Sequence, residues 1–231
     1  MKISAASGNE LHRIPNLIEA VRERKPTSPV ELSDWVRHFT GVRIPDRPVC
    51  SGHHAPFEMF AHQVLQRPSL ALWLGPRGSG KSFLSALDTH LSSRFSPRHE
   101  TRILGGSRSQ SEQIYRALGE AVVNGRGDYG GDAAAIKRLL QNEATYWNSS
   151  SVSILAASPK SVRGPHVPSL KLDEVDEIAP EIREASLGMV MELRGARASV
   201  LMTSTWHRLG GPMSELIDQA RDNAFPFFQY C

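Results

Sequence analysis

The stretch LALWLGPRGSGKSFLSAL, residues 70–87, limits the fold of this chain more than any other. Its first five residues form an unbroken apolar run, as expected of a strand covered on both faces in a parallel sheet. A glycine-rich turn follows and opens directly into an apolar-periodic segment of helical length. The turn, Gly75-Pro76-Arg77-Gly78-Ser79-Gly80-Lys81-Ser82, has the spacing glycine, four residues, Gly-Lys-Ser. Between a strand and a helix, that spacing is a phosphate-binding loop. Glycines let successive backbone amides turn toward anionic oxygens, and the following helix adds its positive end. Lys81 is placed to reach the β and γ phosphates of a nucleoside triphosphate, and Ser82 to offer its hydroxyl to Mg²⁺. Arg77 has two open readings, as a guanidinium reaching a γ phosphate or a neighbouring subunit, and as a solvent-facing loop residue.

Composition narrows the class. The 231 residues are 40% hydrophobic and 22% charged, which calls for a packed core. There is no apolar run long enough to span a membrane, and the N-terminal MKISAASGNELHR lacks the apolar segment of a secretory signal. The expectation is a protein without a membrane partner that is not exported. Two cysteines, Cys50 and Cys231, exclude a disulfide framework. Cys50 lies near His53 and His54, but a Cys-x-x-His without a second ligand pair reads as structural, and the nine histidines form no coherent metal site in the sequence. Residues 1–110 carry fifteen Lys and Arg against nine Asp and Glu, while residues 111–231 carry twelve against fifteen. The basic first half is compatible with a polyanion near one face, and equally with a solvated surface.

The pattern along the chain divides it at about residue 50. Residues 10–24 and 30–39 read as helices separated by KPTSP, so residues 1–50 form a small helical appendage. From residue 51 to 231 strands alternate with helices, which implies an α/β domain with a mostly parallel central sheet flanked by helices. The expected strands are 69–74, 101–106, 169–174 and 198–205, with an antiparallel hairpin from ATYWN and SVSILAAS. Helices are expected at 55–66, 81–95, 109–123, 133–140 and around 181–193.

SLKLDE brings Asp173 and Glu174 to the end of a strand, where a parallel sheet presents side chains to its ligand crevice. Asp173 is read as the Mg²⁺ carboxylate and Glu174 as the group that orients and deprotonates an attacking water. Lys171 is unusual in such a strand, and Asp176 and Glu177 read as a surface acidic run. LMTSTWHR ends a later strand in Thr203-Ser204-Thr205, read either as hydroxyls that sense the γ phosphate or as a polar strand end. In PFEMFAHQ, Gln63 could read the edge of an adenine base, or the segment could be an ordinary helix packing Phe57, Phe60 and Val64 on the core. His166 and His207 read as loop residues near the active edge.

With these residues in this order, the chain resembles the ATPase domain of tailed-bacteriophage terminase large subunits, the motors that package DNA into procapsids. The resemblance runs from about residue 50 to the end. It rests on HHAPFEMF, LWLGPRGSGKS, RILGGSRSQSEQIY, ILAASPKSVRGPHVPSLKLDEVDE and LMTSTWHRLGGPMSELIDQA. It implies a P-loop NTPase fold of the RecA-like (ASCE) type, with ATP and Mg²⁺ as cofactors. Lys81 and Ser82 then belong to Walker A, Asp173 and Glu174 to Walker B, and Ser204 and Thr205 to the coupling motif. Arg77 and Arg163 match arginines that stabilise transferred phosphate or grip DNA. The implied partners are double-stranded DNA, a portal protein, a small terminase subunit and further copies of the chain in a ring on the portal. The implied location is the host cell cytoplasm. Terminases usually carry a nuclease domain after the ATPase, and with 26 residues beyond Thr205 no nuclease activity is expected of this chain. A helicase core and a nucleotide-dependent assembly module without useful turnover are the competing readings.

Overall fold

A computed structural model describes residues 13–125, 127–164, 166–207, 210–222 and 225–231. The first residues of the expected helix at 10–24, and Pro165, Arg208 and Leu209 of the motif segments, lie outside the described residues. The elements in chain order are α1 (Arg13–Glu23), α2 (Pro29–Thr40), α3 (Pro56–Gln66), β1 (Leu70–Leu74), α4 (Lys81–Phe95), β2 (Glu100–Gly105) and α5 (Arg108–Leu118). They continue with β3 (Ile136–Leu139), β4 (Glu143–Tyr146), β5 (Ser151–Ile154), β6 (Ser169–Asp173), α6 (Pro180–Leu187), β7 (Ser199–Ser204), α7 (Pro212–Asp222) and β8 (Phe227–Gln229). No helix among the described residues is long and apolar enough to cross a membrane.

The strands form one mixed sheet in the order β3-β4-β5-β2-β6-β7-β1-β8. The six strands from β5 to β8 are parallel, and β4 pairs antiparallel with both β3 and β5. Side chains alternate across the parallel strands, as the two-residue period requires. Ala71, Trp73, Ile103 and Leu201 enter one apolar layer with α2, α3, α4 and α5. Leu72, Leu74, Leu104, Leu170, Leu172 and Met202 enter the other with α7. Both faces are therefore covered, which is why the strands read as continuous apolar runs.

Helix α2 begins at Ser28, whose side chain accepts from the Glu31 N–H, carries Pro29 in its first turn, and ends at Gly41 in the left-handed conformation. Its Leu32, Trp35, Val36 and Phe39 are buried in the same layer as Trp73. Helix α2 is thus packed into this layer, while α1 adds the partly buried Ile18.

Three expectations change. Residues 133–140 are not a helix: a 3₁₀ turn at Ala133–Ala135 leads into β3, where Ile136 sits opposite Tyr146. Pairing with β4 supplies backbone partners that outweigh the helix preference of the alanines. The helix expected to 123 stops at Leu118 and widens into a π turn over Gly119–Val123. The helix expected to about 193 stops at Leu187, before Gly188. Two further elements, α7 and the three-residue β8, close the sheet beside β1.

Lys171 faces α4 and is fully buried against Asp88, with which it makes a short ion pair. Burial lowers the Lys171 pKa, and the Asp88 carboxylate opposes that shift. Beside the pair, Arg67 donates to His99 Nε2 at 2.8 Å and to Ser92 Oγ at 3.0 Å. Breaking one side of such a pair leaves a buried charge uncompensated. Lys171→Met is expected to destabilise the fold by about 3–5 kcal/mol in urea unfolding, and Lys171→Met with Asp88→Leu to recover most of that loss.

His99 supplies a pH test. Burial first, then the Arg67 and Lys171 charges, push its pKa down from 6.5 to about 3. Below its ordinary pKa the unfolded chain takes up a proton that the folded chain refuses, so this contribution is lost as pH falls through that window. Between about pH 6 and pH 4, wild-type stability should fall more steeply than that of His99→Gln, by about 1.4 kcal/mol per pH unit, as measured by denaturant unfolding.

Candidate active site

The site forms where the carboxyl ends of β1, β6 and β7 meet the start of α4. Strand β1 stops at Leu74, the chain turns through Gly75 to Gly80, and α4 begins at Lys81. Gly80 caps the helix at φ 86°, a left-handed conformation that glycine adopts without penalty. At Gly75 the constraint is space: a Cβ would lie 2.7 Å from Ser79 Oγ and 2.9 Å from the Tyr230 ring. Tyr230 is buried behind the loop, and its N–H donates to the Leu74 carbonyl at 3.0 Å. The last strand of the sheet therefore braces the loop from behind.

Lys81 is 5% exposed, and its Nζ donates to the carbonyls of Gly75 at 2.9 Å and Pro76 at 3.1 Å. Burial lowers its pKa, while the nearby Glu174 and Asp173 carboxylates pull it back up. Ser82, in the first turn of α4, donates to Asp173 Oδ2 at 2.8 Å. Thr203 donates to Asp173 Oδ1 at 2.6 Å. Burial raises the Asp173 pKa, and these two hydroxyls work against that rise. A hydroxyl and a carboxylate oxygen side by side are hard oxygen donors of the kind a magnesium ion takes.

Glu174 leaves the strand in the left-handed region, at φ 49° and ψ 54°. For a residue with a side chain that costs about 1–2 kcal/mol. The turn swings the carboxylate across the ends of β6 and β7, and the hydrogen bonds it gains there hold it. Glu174 Oε2 accepts from the Thr205 N–H and Thr205 Oγ1, both at 3.0 Å, with Ser204 Oγ 3.4 Å away. Its other oxygen, Oε1, faces Lys81 Nζ at 3.8 Å. One carboxylate oxygen is thus anchored, and the other points toward the mouth of the loop.

Beyond this point the site continues through His207, expected near the active edge, and through Asp176, which the sequence placed on the surface. Thr205 Oγ1 lies 2.8 Å from His207 Nε2. Asp176 Oδ2 accepts from the His207 N–H at 3.2 Å, and Asp176 Oδ1 from the Met213 N–H in the first turn of α7 at 2.9 Å. Asp176 is 7% exposed, so it belongs to the interior and not to a surface acidic run, whereas Glu177 is exposed. Its signal in the sequence, one more acid in LDEVDE, is indistinguishable from a solvated face. Tyr230 had no signal at all.

The sequence candidates divide accordingly. The loop residues Gly75 to Ser82, Asp173, Glu174 and Thr203 to Thr205 come together. Arg77 is exposed on the loop, beside a concavity of about 440 Å³ shared with Val42, Ile44, Pro45 and Phe83. Arg163 is exposed on the turn Ser161–Arg163 and makes no ion pair with the described residues. His166 is exposed too, with Nδ1 3.3 Å from the Met189 carbonyl. Gln63 does not join the site. It is 1% exposed and donates to the side chain of Ser199, the first residue of β7, at the end of the strand opposite Thr203 to Thr205. The apolar face of α3 packs on the sheet and carries Gln63 with it.

The close contacts at Gly75 give a test. Gly75→Ala is expected to cost about 1–3 kcal/mol, since the added methyl must displace Tyr230 or Ser79, and Tyr230→Phe should leave the fold intact. Thermal unfolding of the two variants beside wild type checks this.

Neither a scan against protein-family models nor a search of curated proteins finds a match. Solved structures do match. The large terminase of bacteriophage HK97 aligns at a TM-score of 0.58 and 14% identity, over 84% of this chain and 43% of that one. The large terminase of a thermophilic bacteriophage aligns at 0.55 and 12%, over 71% of this chain and 41% of that one. That second protein has also been solved in complex with ADP and with ATP-γ-S. The Thermus phage P74-26 large terminase ATPase domain aligns at 0.50 and 17%, over 62% of each chain. The chain spans about two fifths of the length of the first two proteins. Its α/β fold is the fold of phage large-terminase ATPase domains.

Proposed function

We propose that this chain is a P-loop ATPase of the RecA-like (ASCE) type, the motor domain of a phage terminase large subunit that drives double-stranded DNA into a procapsid. The observation that carries the reading is the setting of Glu174. One of its oxygens is fixed by Thr205 at the end of β7, and the other faces Lys81 across the loop. A carboxylate so held is a general base at a defined distance from the phosphates the loop would cradle.

In this scheme the loop amides and Lys81 bind the β and γ phosphates, and the concavity beside Arg77 receives the base and ribose. Ser82 and Asp173 are the residues that would hold Mg²⁺, which would neutralise charge on the phosphate oxygens. Glu174 accepts a proton from water as that water bonds to the γ phosphorus. The bond from phosphorus to the bridging oxygen breaks, and ADP leaves with its electron pair. Thr203 touches Asp173, Ser204 and Thr205 touch Glu174, and Asp176 and His207 tie that end of β7 to α7. Loss of the γ phosphate thereby has a mechanical route to a helix on the other face of the sheet.

Arg77 and Arg163, both exposed, are free to meet phosphate or DNA across a subunit boundary. A ring of such chains on a portal, with a small terminase subunit, in the host cytoplasm, is the setting this proposal implies.

ATPase assays of the purified chain with Mg²⁺ and linear double-stranded DNA test the reading. Glu174→Gln should slow turnover by about 10²–10⁴-fold while ATP still binds. Lys81→Ala should lose ATP binding itself. Full turnover in Glu174→Gln would overturn the assignment of the base.

A further inference from the structure

Cys50, His53 and Cys231 meet in space although 178 residues separate the last two. Their ligand atoms all lie within 4.8 Å of one another, and His53 Nδ1 is 2.9 Å from Cys231 Sγ. The cluster is held by backbone that does not depend on the three side chains. The His53 N–H donates to the Cys50 carbonyl at 3.2 Å, closing a turn, and the His54 N–H donates to the Gln229 carbonyl at 2.7 Å. The Gln229 N–H donates back to His54 Nδ1 at 3.2 Å. Pairing of β8 with β1, Gln229 beside Leu74, then sets Cys231 next to the turn.

We propose that Cys50 Sγ, His53 Nδ1 and Cys231 Sγ form a binding site for a zinc-class divalent ion, with water as the fourth ligand. Two thiolates and an imidazole suit zinc and discriminate against magnesium and calcium, which take oxygen. With Zn–S near 2.3 Å and Zn–N near 2.0–2.1 Å, tetrahedral ligand atoms stand roughly 3.5–3.8 Å apart. Atoms already within 4.8 Å of one another reach that spacing by small side-chain rotations. His54 is not a ligand: its Nδ1 is engaged by the Gln229 backbone, and its ring packs edge-on against Phe228.

Ligation through His53 Nδ1 requires the ring proton on Nε2 and the Gln229 side-chain amide turned over from its present placement. His53 Nε2 lies 3.0 Å from the Gln229 side-chain amide nitrogen. Turning that amide over places its oxygen to accept from Nε2–H, the outer contact that fixes the tautomer of a metal-bound histidine. Binding releases the two thiol protons to solvent. Cys50 is exposed, so an ion has a way in.

The ion would tie the turn at residues 50–54 to the end of β8. Cys231 lines the same concavity as Pro76 to Gly80, and its neighbour Tyr230 braces Gly75. The site therefore shares a wall with the glycine loop, yet it needs neither nucleotide nor hydrolysis, and it stands or falls apart from the proposed function.

The test is anaerobic titration of the reduced, metal-free chain with Co²⁺ and then Zn²⁺. The expected result is one equivalent of Co²⁺ with thiolate-to-cobalt charge-transfer absorption and tetrahedral d–d bands, all displaced by one equivalent of Zn²⁺. Cys50→Ser, Cys231→Ser and His53→Ala should each weaken Zn²⁺ binding by at least about tenfold, and Zn²⁺ should raise the melting temperature of wild type more than that of the variants. Absence of the charge-transfer band from wild type overturns the proposal without reference to any variant. So does a folded Cys231→Ser that binds Zn²⁺ as tightly as wild type, or a Cys50–Cys231 disulfide that forms in air at the same rate with and without Zn²⁺.

Discussion

Strand β6 carries two ionisable residues on one face, Lys171 and Asp173, and helix α4 answers both. Asp173 accepts from Ser82 in the first turn of α4, and Lys171 pairs with Asp88 less than two turns further on. A strand presents every second residue to one side at about 6–7 Å intervals, while a helix rises about 1.5 Å per residue, or about 9 Å over six residues. The two spacings are close enough for both contacts to form at once, and that double match fixes how far α4 slides along β6. Because the glycine loop leads directly into α4, the same match fixes the loop over the ends of the strands. The buried Lys171–Asp88 pair thus acts as a register pin, at the energetic cost of keeping two charges out of water.

From that seam the site is built sideways through the sheet. Strand β7 lies next to β6, with Asp173 opposite Thr203 in register. This places the Thr203 hydroxyl on Asp173 and lets Thr205, just past the strand, catch the Glu174 carboxylate. The left-handed turn at Glu174 is strain that the contacts with Thr205 offset. The connection runs on through His207 and Asp176 to the first turn of α7. On the other side β8 pairs with β1 and brings Tyr230 under Gly75. Both faces of the sheet and its β8 edge are therefore in contact with the loop through short, directional links.

Much of this was readable from residue order. The loop is a local motif whose glycines, lysine and serine act within eight residues, so its pattern survives without knowledge of the fold. Strand β6 ends in two carboxylates and β7 in three hydroxyls, and strand ends in a parallel sheet share an edge, which is why these distant segments could be assigned to one site. Other positions misled because their environment is set by partners far away. Lys171 looked out of place until Asp88 was opposite it. Asp176 looked like surface until α7 covered it, and of the two readings of PFEMFAHQ the packed helix is the one the fold adopts, with Gln63 turned toward Ser199. The segment at 133–140 has helical composition, but an antiparallel neighbour claims its backbone.

The sequence by itself determined the α/β alternation, the phosphate-type loop and the acidic and hydroxyl groups that could serve it, because each depends on spacing within one element or on the fixed polarity of parallel strands. Only the tertiary structure decided which oxygen of Glu174 is anchored, that Tyr230 braces the loop, and that Cys231 returns to Cys50 and His53. Those outcomes depend on strand order and on the register of β8 against β1. Strand order and register are set by summed packing across the whole sheet, and no local pattern in three residues such as Phe227 to Gln229 encodes them.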